Sequence, residues 1–379
     1  MFYRDGIHDD TAAIQQLLDK GGIVTLDTPG TYLVSKTLII HSNTRFILSP
    51  GAHIMAAPMS RCALIENEFF CGGGRDKNIE IIGGIWDGNC DEMGLDAYHE
   101  AQHRLDDPYS PKLFKGKLIR FAHIDNIILE KLTVKNPVSY GIQIADVNGF
   151  ITRDIYFDYN HHFGTTDGVH INGPACNGVV ENLNGTTNDD MVSLTTADES
   201  HAEVTVGNIS NIEIKNVSAR NGYSGVRILA VGGYSIEHVK ISGVYGEYRH
   251  NAVLVSHHKM YAGKPIWFDD ITIEHIHASK SPFPLGDDCF RMWEHNAIET
   301  NPVIWFEGGV KLGSCVVRDV YRVERSTLTN AYLLQIDKGA EFERLILENI
   351  AQKNLEGVNA PFIFNEGAIN TLIERDIQA

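Results

Sequence analysis

Cysteine is scarce in this sequence, and no two of its six cysteines stand in a CxxC pair. Zinc sites and disulfide frameworks are both recognised by regular cysteine spacing, so neither is predicted. An unpaired cysteine usually packs as a small apolar side chain. We therefore expect buried free thiols.

Blocks of Lys and Arg are absent as well, and 49 acidic residues outnumber 32 basic ones to give a formal charge of -17. Nucleic acid is therefore not an expected partner, because phosphate binding needs basic clusters. The same charge argues against a strongly polyanionic substrate, although a local basic pocket can override it, because salt screens charges beyond about 8 Å. A neutral or only locally acidic substrate is expected.

The N-terminal residues MFYRDGIHDD lack a basic region followed by an apolar stretch, so no signal peptide is predicted in this chain. The protein is then cytoplasmic, exported by another route, or a mature secreted form whose leader was removed. With 379 residues, 43% of them apolar, and a mean hydropathy of -0.15, the chain can bury a large core and needs no membrane. Its oligomeric state is not legible from the sequence.

One convincing helix start lies within residues 1–25. The segment DGIHDDTAAIQQLLDKGG offers N-cap oxygens from Asp9, Asp10 and Thr11, and two glycines follow its apolar run. We predict a helix here that caps one end of the fold.

After this helix the sequence consists of short β-branched runs separated by Gly, Pro, Asn and Ser, which is typical of strands and turns. A unit of two strands and a turn, often opened by Asn, recurs from residues 126, 149, 177, 211, 234, 270, 314 and 342. A β-sandwich also has short strands, but its hairpins do not explain this repeat. The repeat predicts an all-β fold, a right-handed single-stranded parallel β-helix. It would form one domain over residues 1–379, with Asn side chains stacked in ladders.

Two aspartate clusters, TTDG at 165–168 and NDDM at 188–191, stand about one coil apart in this scheme. Neighbouring strands of a sheet lie about 4.8 Å apart, so Asp167, Asp189 and Asp190 are predicted to converge on one surface patch. Like charges at such distances raise the pKa of at least one carboxyl group, which then holds a proton near neutral pH. A carboxylic acid beside a carboxylate is what glycoside hydrolysis requires. Aspartates that merely form turns are the alternative explanation.

The two clusters resemble the NTDG and DD motifs of glycoside hydrolase family 28, the polygalacturonase-type enzymes. In the same order, GGIWDGN at 83–89 is similar to the family's IDG segment and NPVSYGIQI at 136–144 to its NSPxW stretch. The opening DGIHDDTAAIQQLLD with GTYLV resembles the N-terminal cap of the pectate-lyase-like β-helix superfamily. The resemblance covers about residues 5–260. It implies inverting, metal-free hydrolysis of a polysaccharide, with Asp190 as general acid and Asp167 and Asp189 holding or activating water.

Two further family motifs are altered. The GHG motif falls at GYSG, 222–225, where Tyr223 replaces the histidine, and the RIK motif, which grips a uronate carboxylate, falls near NAVLVSHHK, 251–259. Galacturonan itself is therefore in doubt as the substrate, whereas hydrolysis of a pectin-related or other glycosidic bond is still expected. The residues expected to supply substrate contacts instead are Tyr223, Arg227, His257, His258 and Lys259.

Residues 280–312 are predicted to form a loop bordering the cleft, because Pro282 and Pro284 interrupt the strand pattern. Its segment DDCFRMWEH superficially repeats the DD motif, and Trp293 is positioned there to stack on a sugar ring. The adjacent His161 and His162 have no third ligand at a recognisable spacing, so no metal and no cofactor are predicted. His170 stands three residues after Asp167, and strict alternation assigns it to the opposite face with a structural role.

Together these features predict a glycoside hydrolase that cleaves a polysaccharide or oligosaccharide through three aspartates. Two other hypotheses stay open. One is a non-catalytic carbohydrate-binding or phage tail-fibre β-helix module, which the altered GHG and RIK motifs favour and the intact aspartates oppose. The other is a calcium-dependent polysaccharide lyase, which needs a metal-bound carboxylate cluster and a nearby basic residue. Because fold does not fix function, the β-helix alone does not decide among them.

Overall fold

The computed structural model describes residues 2–94, 116–197, 204–257, 266–283, 286, 289, 300–327 and 329–379. Across these residues the chain forms the predicted right-handed single-stranded parallel β-helix with an N-terminal capping helix. One apolar core cluster runs from Ile14 in the helix to Ile350 near the C-terminus. A single domain over residues 1–379 stays a prediction.

The helices are α1 (Thr11–Leu18) and a short 3₁₀ turn (Cys90–Glu92). The strands of the described residues are β1 (Asp5–Asp9), β2 (Gly22–Leu26), β3 (Gly30–Val34), β4 (Leu38–Ile40), β5 (Thr44–Leu48), β6 (Ala52–Ala56), β7 (Ile65–Asn67), β8 (Asp76–Ile82), β9 (Ile85–Asp87), β10 (Ile119–Glu130), β11 (Thr133–Lys135), β12 (Ile142–Asp158), β13 (Val169–Thr186), β14 (Asp190–Thr195), β15 (Ile209–Gly222), β16 (Ser224–Leu229), β17 (Ser235–Tyr248), β18 (Val253–Ser256), β19 (Trp267–Lys280), β20 (Ile304–Phe306), β21 (Lys311–Glu324), β22 (Leu334–Ile336), β23 (Glu341–Asn354), β24 (Ile363–Asn365) and β25 (Ala368–Gln378). Of the predicted loop at 280–312, residues 304–306 are thus strand β20 and Lys311 begins β21.

The capping helix α1 covers the first coil with one apolar face. Ile14 and Leu18 are fully buried, and the helix stops before Gly21, whose φ of +62° suits a residue without a side chain. Asp10 does not cap the helix with its side chain. Its carboxylate instead accepts hydrogen bonds from the backbone N–H groups of Tyr3 and Arg4, which ties the N-terminal segment to the cap.

One sheet of the β-helix, here named the site sheet, is a stack of strands that each come from a successive coil. It contains β12, β13, β14, β16, β18 and β20, and all of its pairings are parallel. Val169 pairs with Val192, Val192 with Val226, and Val226 with Val253, and all four side chains are fully buried in the core.

The residue after each of these valines points to the outer face, because side chains alternate along a strand. This outer row reads, coil by coil, His170, Ser193, Arg227, Leu254 and Trp305. Successive members stand about 4.8 Å apart along the helix axis. A single row of side chains is therefore presented along the face that carries the aspartates.

Asparagines occupy the sharp corners of the coils in the left-handed backbone conformation, which Asn tolerates better than most residues. Asn177, Asn182, Asn211 and Asn216 all have φ between 55° and 60°. The Asn211 side chain donates to Asn177 at 3.4 Å, and the Asn216 side chain donates to Asn182 at 3.0 Å. The predicted asparagine ladders are confirmed at both corners.

All six cysteines are free, but only Cys90 and Cys315 are buried, so the expectation of buried thiols was wrong for the others. Cys71 is exposed, and Cys176 lies beside Asn148 at a corner of the coil, where its side chain is directed away from the core. Among the described residues, no helix is long and apolar enough to span a bilayer.

Candidate active site

Asp167 and Asp190 occupy equivalent positions on neighbouring coils, each two residues before a core valine of the site sheet. The Asp167 carbonyl accepts a hydrogen bond from the Gly141 N–H at 2.9 Å, and the Asp190 carbonyl accepts one from the Gly168 N–H at 2.9 Å. The main chain of each aspartate therefore belongs to the ladder that joins the coils. This arrangement confirms the prediction that the two clusters stand one coil apart.

Gly168 lets the coils approach closely just after Asp167. A Cβ atom at this position would lie 2.5 Å from the carbonyl oxygen of Met191 and 2.9 Å from the ring of Phe157. Any side chain would therefore push the two coils apart. The glycine of the TTDG motif is explained by this contact, which fixes the spacing of the carboxylates.

The three aspartates form a tight cluster on the outer face. One carboxylate oxygen from each of Asp167, Asp189 and Asp190 lies within 4.8 Å of the other two. Asp167 and Asp190 are each 3% exposed, whereas Asp189 is half-buried. Oxygen atoms at this spacing are compatible with a shared proton and also with a bound divalent cation.

Both oxygens of Asp167 accept hydrogen bonds. Oδ2 lies 2.5 Å from Nδ1 of His170, and Oδ1 accepts the backbone N–H of Asp190 at 3.2 Å. Hydrogen bonds donated to a carboxylate stabilise its ionised form. Asp167 is thus arranged as a carboxylate with a fixed orientation.

Asp190 faces a cation from the next coil. Its Oδ2 lies 3.8 Å from Nη1 of Arg227, and Nε of that guanidinium donates to the hydroxyl of Ser256 at 3.0 Å. A guanidinium at this distance favours the charged form of the carboxyl group. Asp190 therefore also has an environment that suits a carboxylate.

Asp189 has the opposite environment. Burial and the charges of Asp167 and Asp190 raise its pKa well above the usual range of an aspartate, while Arg227 and the backbone N–H of Asp190 act in the other direction. Three carboxyl groups at these distances cannot all ionise cheaply. The proton of the cluster is therefore best held by Asp189.

The predicted position of His170 was wrong. Its side chain lies on the same side as Asp167 and contacts it, because Asp167 and Gly168 precede β13 and do not follow the alternation of the strand. The ring is 1% exposed and stacks on Tyr140 with centroids 4.1 Å apart and planes 6° apart.

Buried cationic groups lie near the aspartate segment, where the Arg249 guanidinium donates to Oδ1 of Asn188, the residue before Asp189, at 2.7 Å. Arg249 and Lys280 are each 1% exposed, and Lys280 Nζ donates to the carbonyl of Arg249 at 2.8 Å. Burial lowers the pKa of His250 to about 3, with the charges of Lys280 and Arg227 contributing in the same direction. His250 is thus neutral at ordinary pH, and the local charge on this flank comes from the lysine and the arginines.

The predicted substrate-contact residues lie in different surroundings. Arg227 is in the outer row and partly exposed, whereas Tyr223 is 4% exposed with its ring stacked on His250 at 4.8 Å. His257 follows β18, and its Nε2 donates to the carbonyl of Gly308 at 3.0 Å. The structure brings Arg227 to the aspartates. The remaining three, His258, Lys259 and Trp293, lie outside the described residues.

Sequence reasoning missed Trp305, which lies in the outer row two coils beyond Arg227. Its ring is half-buried, and its Nε1 donates to Asp337 at 2.9 Å. The segment VIWF, with Trp between two buried residues of a strand, was the available signal. An aromatic ring at this place can provide a platform for a sugar.

The two histidines before TTDG do not form a metal site with their neighbours. His162 Nδ1 lies 2.6 Å from Asp91, and burial lowers the pKa of His161 to about 4. In the part of the chain that the structure describes, the aspartate cluster is the group whose ligand atoms are close enough to share an ion.

No family model matches this sequence, and no curated protein matches it either. Solved structures do match. An endo-xylogalacturonan hydrolase from Aspergillus tubingensis aligns over 98% of this chain and 95% of its own, with a TM-score of 0.65 at 14% identity. A hyperthermoactive exopolygalacturonase from Thermotoga maritima aligns over 97% and 90%, with a TM-score of 0.60 at 14% identity. PfbA, a surface adhesin of Streptococcus pneumoniae, aligns over 97% and 91%, with a TM-score of 0.55 at 15% identity.

The fold and its site therefore define a parallel β-helix protein with a carboxylate cluster on the outer face of one sheet. Within that class the chain has the polygalacturonase-like fold. At these identities the likeness concerns the fold and not the activity.

Proposed function

We propose that this protein is a glycoside hydrolase that cleaves a pectin-related polysaccharide or oligosaccharide by general acid/base catalysis. The observation that carries the proposal is the geometry of the cluster, whose three carboxylate oxygens lie within 4.8 Å of one another. Burial and the two neighbouring carboxylates raise the pKa of Asp189, while His170 and Arg227 favour the carboxylate forms of Asp167 and Asp190. A proton donor beside carboxylates that can activate water is the arrangement glycosidases use.

Asp189 is the proposed general acid. The family resemblance implies Asp190 for that role, but Asp190 faces the Arg227 guanidinium and is less suited to hold a proton. The raised pKa of Asp189 lets it carry a proton at a pH where an ordinary aspartate is ionised. Asp189 would donate this proton to the oxygen of the departing sugar.

Asp167 and Asp190 are the two carboxylates proposed to orient and deprotonate water. Both Asp167 oxygens already accept hydrogen bonds, which reduces its ability to attack carbon and suits a base better than a nucleophile. We therefore propose inversion at the anomeric carbon. Carboxyl groups in inverting enzymes usually stand about 6.5–9.5 Å apart, farther than these oxygens, so the stereochemistry needs its own measurement.

The substrate class is proposed from the cations beside the cluster and from the comparisons. Arg227 is partly exposed and can meet a carboxylate or hydroxyl group of a sugar, while Arg249 and Lys280 contribute positive charge from below the surface. Two of the similar structures are an endo-xylogalacturonan hydrolase and an exopolygalacturonase. A partly acidic plant polysaccharide fits this local charge despite the acidic whole chain.

The test is a screen of pectic and other plant or microbial glycans for new reducing ends, followed on the best substrate by proton NMR of the first product. The proposal predicts reducing-end release and the inverted anomer. Retention of configuration would overturn the inverting mechanism. If the wild type binds a glycan but releases no reducing ends from any glycan that it binds, the proposal of a hydrolase is overturned.

Two other functions have support of their own. The oxygen spacing within the aspartate cluster, with Arg227 beside it, also suits a calcium-dependent lyase. The likeness to a surface adhesin suits a module that binds glycan without cleaving it. Unsaturated products in the first case, and binding without products in the second, distinguish both from hydrolysis.

A further inference from the structure

We infer that His170 is a positioning residue for Asp167, and that it acts as the last member of a directed hydrogen-bond chain from Gln143 through Asn172. The inference rests on the proposed function, in which Asp167 orients and deprotonates water. No motif used in the sequence analysis assigns these three residues to the reaction.

The direction of the chain follows from the amide groups. Gln143 Nε2 donates to Asn172 Oδ1 at 2.8 Å, which places the Asn172 amino group toward His170. That amino group lies 3.3 Å from His170 Nε2. Since an amino group can only donate, Nε2 must be the acceptor, and the proton of a neutral imidazole is on Nδ1. Nδ1 then donates to Asp167, 2.5 Å away.

The members of the chain come from two neighbouring coils and are shielded from water. Gln143 lies in β12, and Asn172 and His170 lie in β13, with exposures of 2%, 0% and 1%. Tyr140 covers one face of the imidazole, and Lys117 Nζ lies 4.1 Å from the centre of the tyrosine ring. The imidazole is thus held by stacking and by both of its nitrogen atoms.

Charged and titratable groups face His170 from several coils. Asp167 is the acidic neighbour on its own coil, Tyr140 lies on the preceding coil, and the Lys117 cation lies one coil before Tyr140. On the following coil its register partner is Ser193, which is neutral, and Arg227 stands one coil farther. A neutral imidazole fits between these unlike charges.

The function of the chain is to fix the Asp167 carboxylate. With the Asp190 N–H on one oxygen and His170 on the other, the carboxylate cannot rotate without losing a hydrogen bond. Orientation of the group that receives the proton of water contributes to rate rather than to substrate binding. Loss of the His170 donor is therefore expected to lower kcat and leave KM nearly unchanged.

The experiment compares two substitutions of His170. His170→Phe keeps the flat ring that stacks on Tyr140 but removes the donor, whereas His170→Asn places an amide N–H close to the position of Nδ1. We expect kcat of the Phe variant to fall roughly 10- to 100-fold, the rate equivalent of one hydrogen bond to a charged group. The Asn variant should retain most of the wild-type kcat. Urea unfolding of both variants checks that they fold.

Equal losses in the two variants, or wild-type kcat in the Phe variant, would overturn the inference. A second readout is ¹⁵N NMR of the imidazole, with the His170→Asn variant used to assign the signal. A neutral ring protonated on Nδ1 is expected, and the Nε2–H tautomer would contradict the chain. The Asp167→Asn variant separates the two claims: full activity there removes the proposed function, whereas its inactivity beside an active His170→Phe variant removes only this inference.

Discussion

The backbone N–H of Asp190 donates to Oδ1 of Asp167 at 3.2 Å, although the two residues are 23 positions apart in the chain. The bond joins Asp190, the first residue of β14, to Asp167, which lies just before β13 on the preceding coil. Main-chain stacking thus brings the carboxylates together, with no loop required to fold over them.

Substitution of any one aspartate of the cluster by asparagine should nearly abolish reducing-sugar release. Asp167, Asp189 and Asp190 each provide a proton-transfer or water-positioning function, and such groups contribute about 10²- to 10⁴-fold to rate. The control is Asp27→Asn, since Asp27 is exposed and its carboxylate accepts a hydrogen bond from the nearby Thr25 hydroxyl. Full activity in any one of the three cluster variants would exclude the proposed chemistry.

The alkaline limb of the pH–rate profile should report Asp189. A general acid must be protonated, so kcat/KM is expected to fall as pH rises through the raised pKa of this residue. Arg227 lowers that pKa, so Arg227→Ala should move the limb to higher pH, whereas Arg227→Lys should leave it near the wild-type position. A shift of the limb to lower pH in the Ala variant would contradict the assignment.

Trp305 should affect binding more than chemistry, because it stands two coils beyond Arg227 in the outer row. We expect Trp305→Ala to raise KM for a polymeric substrate about 2- to 10-fold, as the loss of an aromatic contact of about 0.5–1.5 kcal/mol implies. Trp267→Ala is the matched control, since Trp267 is 38% exposed and lies outside that row. Identical KM values for the two variants would remove Trp305 from the site.

Glu274 should contribute to stability away from the active site. Burial opposes its ionisation, but hydrogen bonds from Lys240, Arg318 and Ser242 outweigh burial and lower its pKa from 4.5 to about 2. Glu274→Gln should therefore reduce the free energy of unfolding at pH 7 by about 1.5–3 kcal/mol, the range for hydrogen bonds to a charged group.

The lowered pKa of Glu274 determines how its contribution to the free energy of unfolding changes with pH. The Glu274 contribution is complete above its ordinary pKa of 4.5 and is lost as pH falls toward 2, so the difference between variant and wild type should shrink over that interval. Urea denaturation at several pH values measures it, with the exposed Glu356→Gln as control. A difference that grows on acidification would contradict this account.

Excess chelator should leave activity unchanged if the cluster works by sharing protons. The same oxygens lie close enough for a divalent cation, so the experiment is informative in both directions. Loss of activity that calcium restores, together with unsaturated products, would instead identify a lyase.

The repeat predicted the coil architecture because each coil places the same residue types at the same corners, as Asn177 and Asn211 illustrate. It also placed the aspartates correctly, since equivalent positions of a solenoid must stack. The position of His170 was missed because alternation holds only within a strand, and Asp167 lies before the strand begins.

Trp305 illustrates a second limit of the sequence. Its position in the outer row depends on the pairing of Leu254 with Trp305, which are 51 residues apart because a long insertion separates β18 from β20. A repeat of variable length does not reveal such a partner. Side-chain pairing across coils therefore had to come from the structure.

The peptide groups of Asp167 and Asp190 hold the coils together, whereas their carboxyl groups contribute nothing to the core. A lineage could lose the reaction through one substitution and still inherit an intact surface that recognises glycan. Enzymes and an adhesin do occur on this fold. Evolution between cutting a polysaccharide and only binding it would then need no change of architecture, only a change of a few side-chain atoms in the cluster.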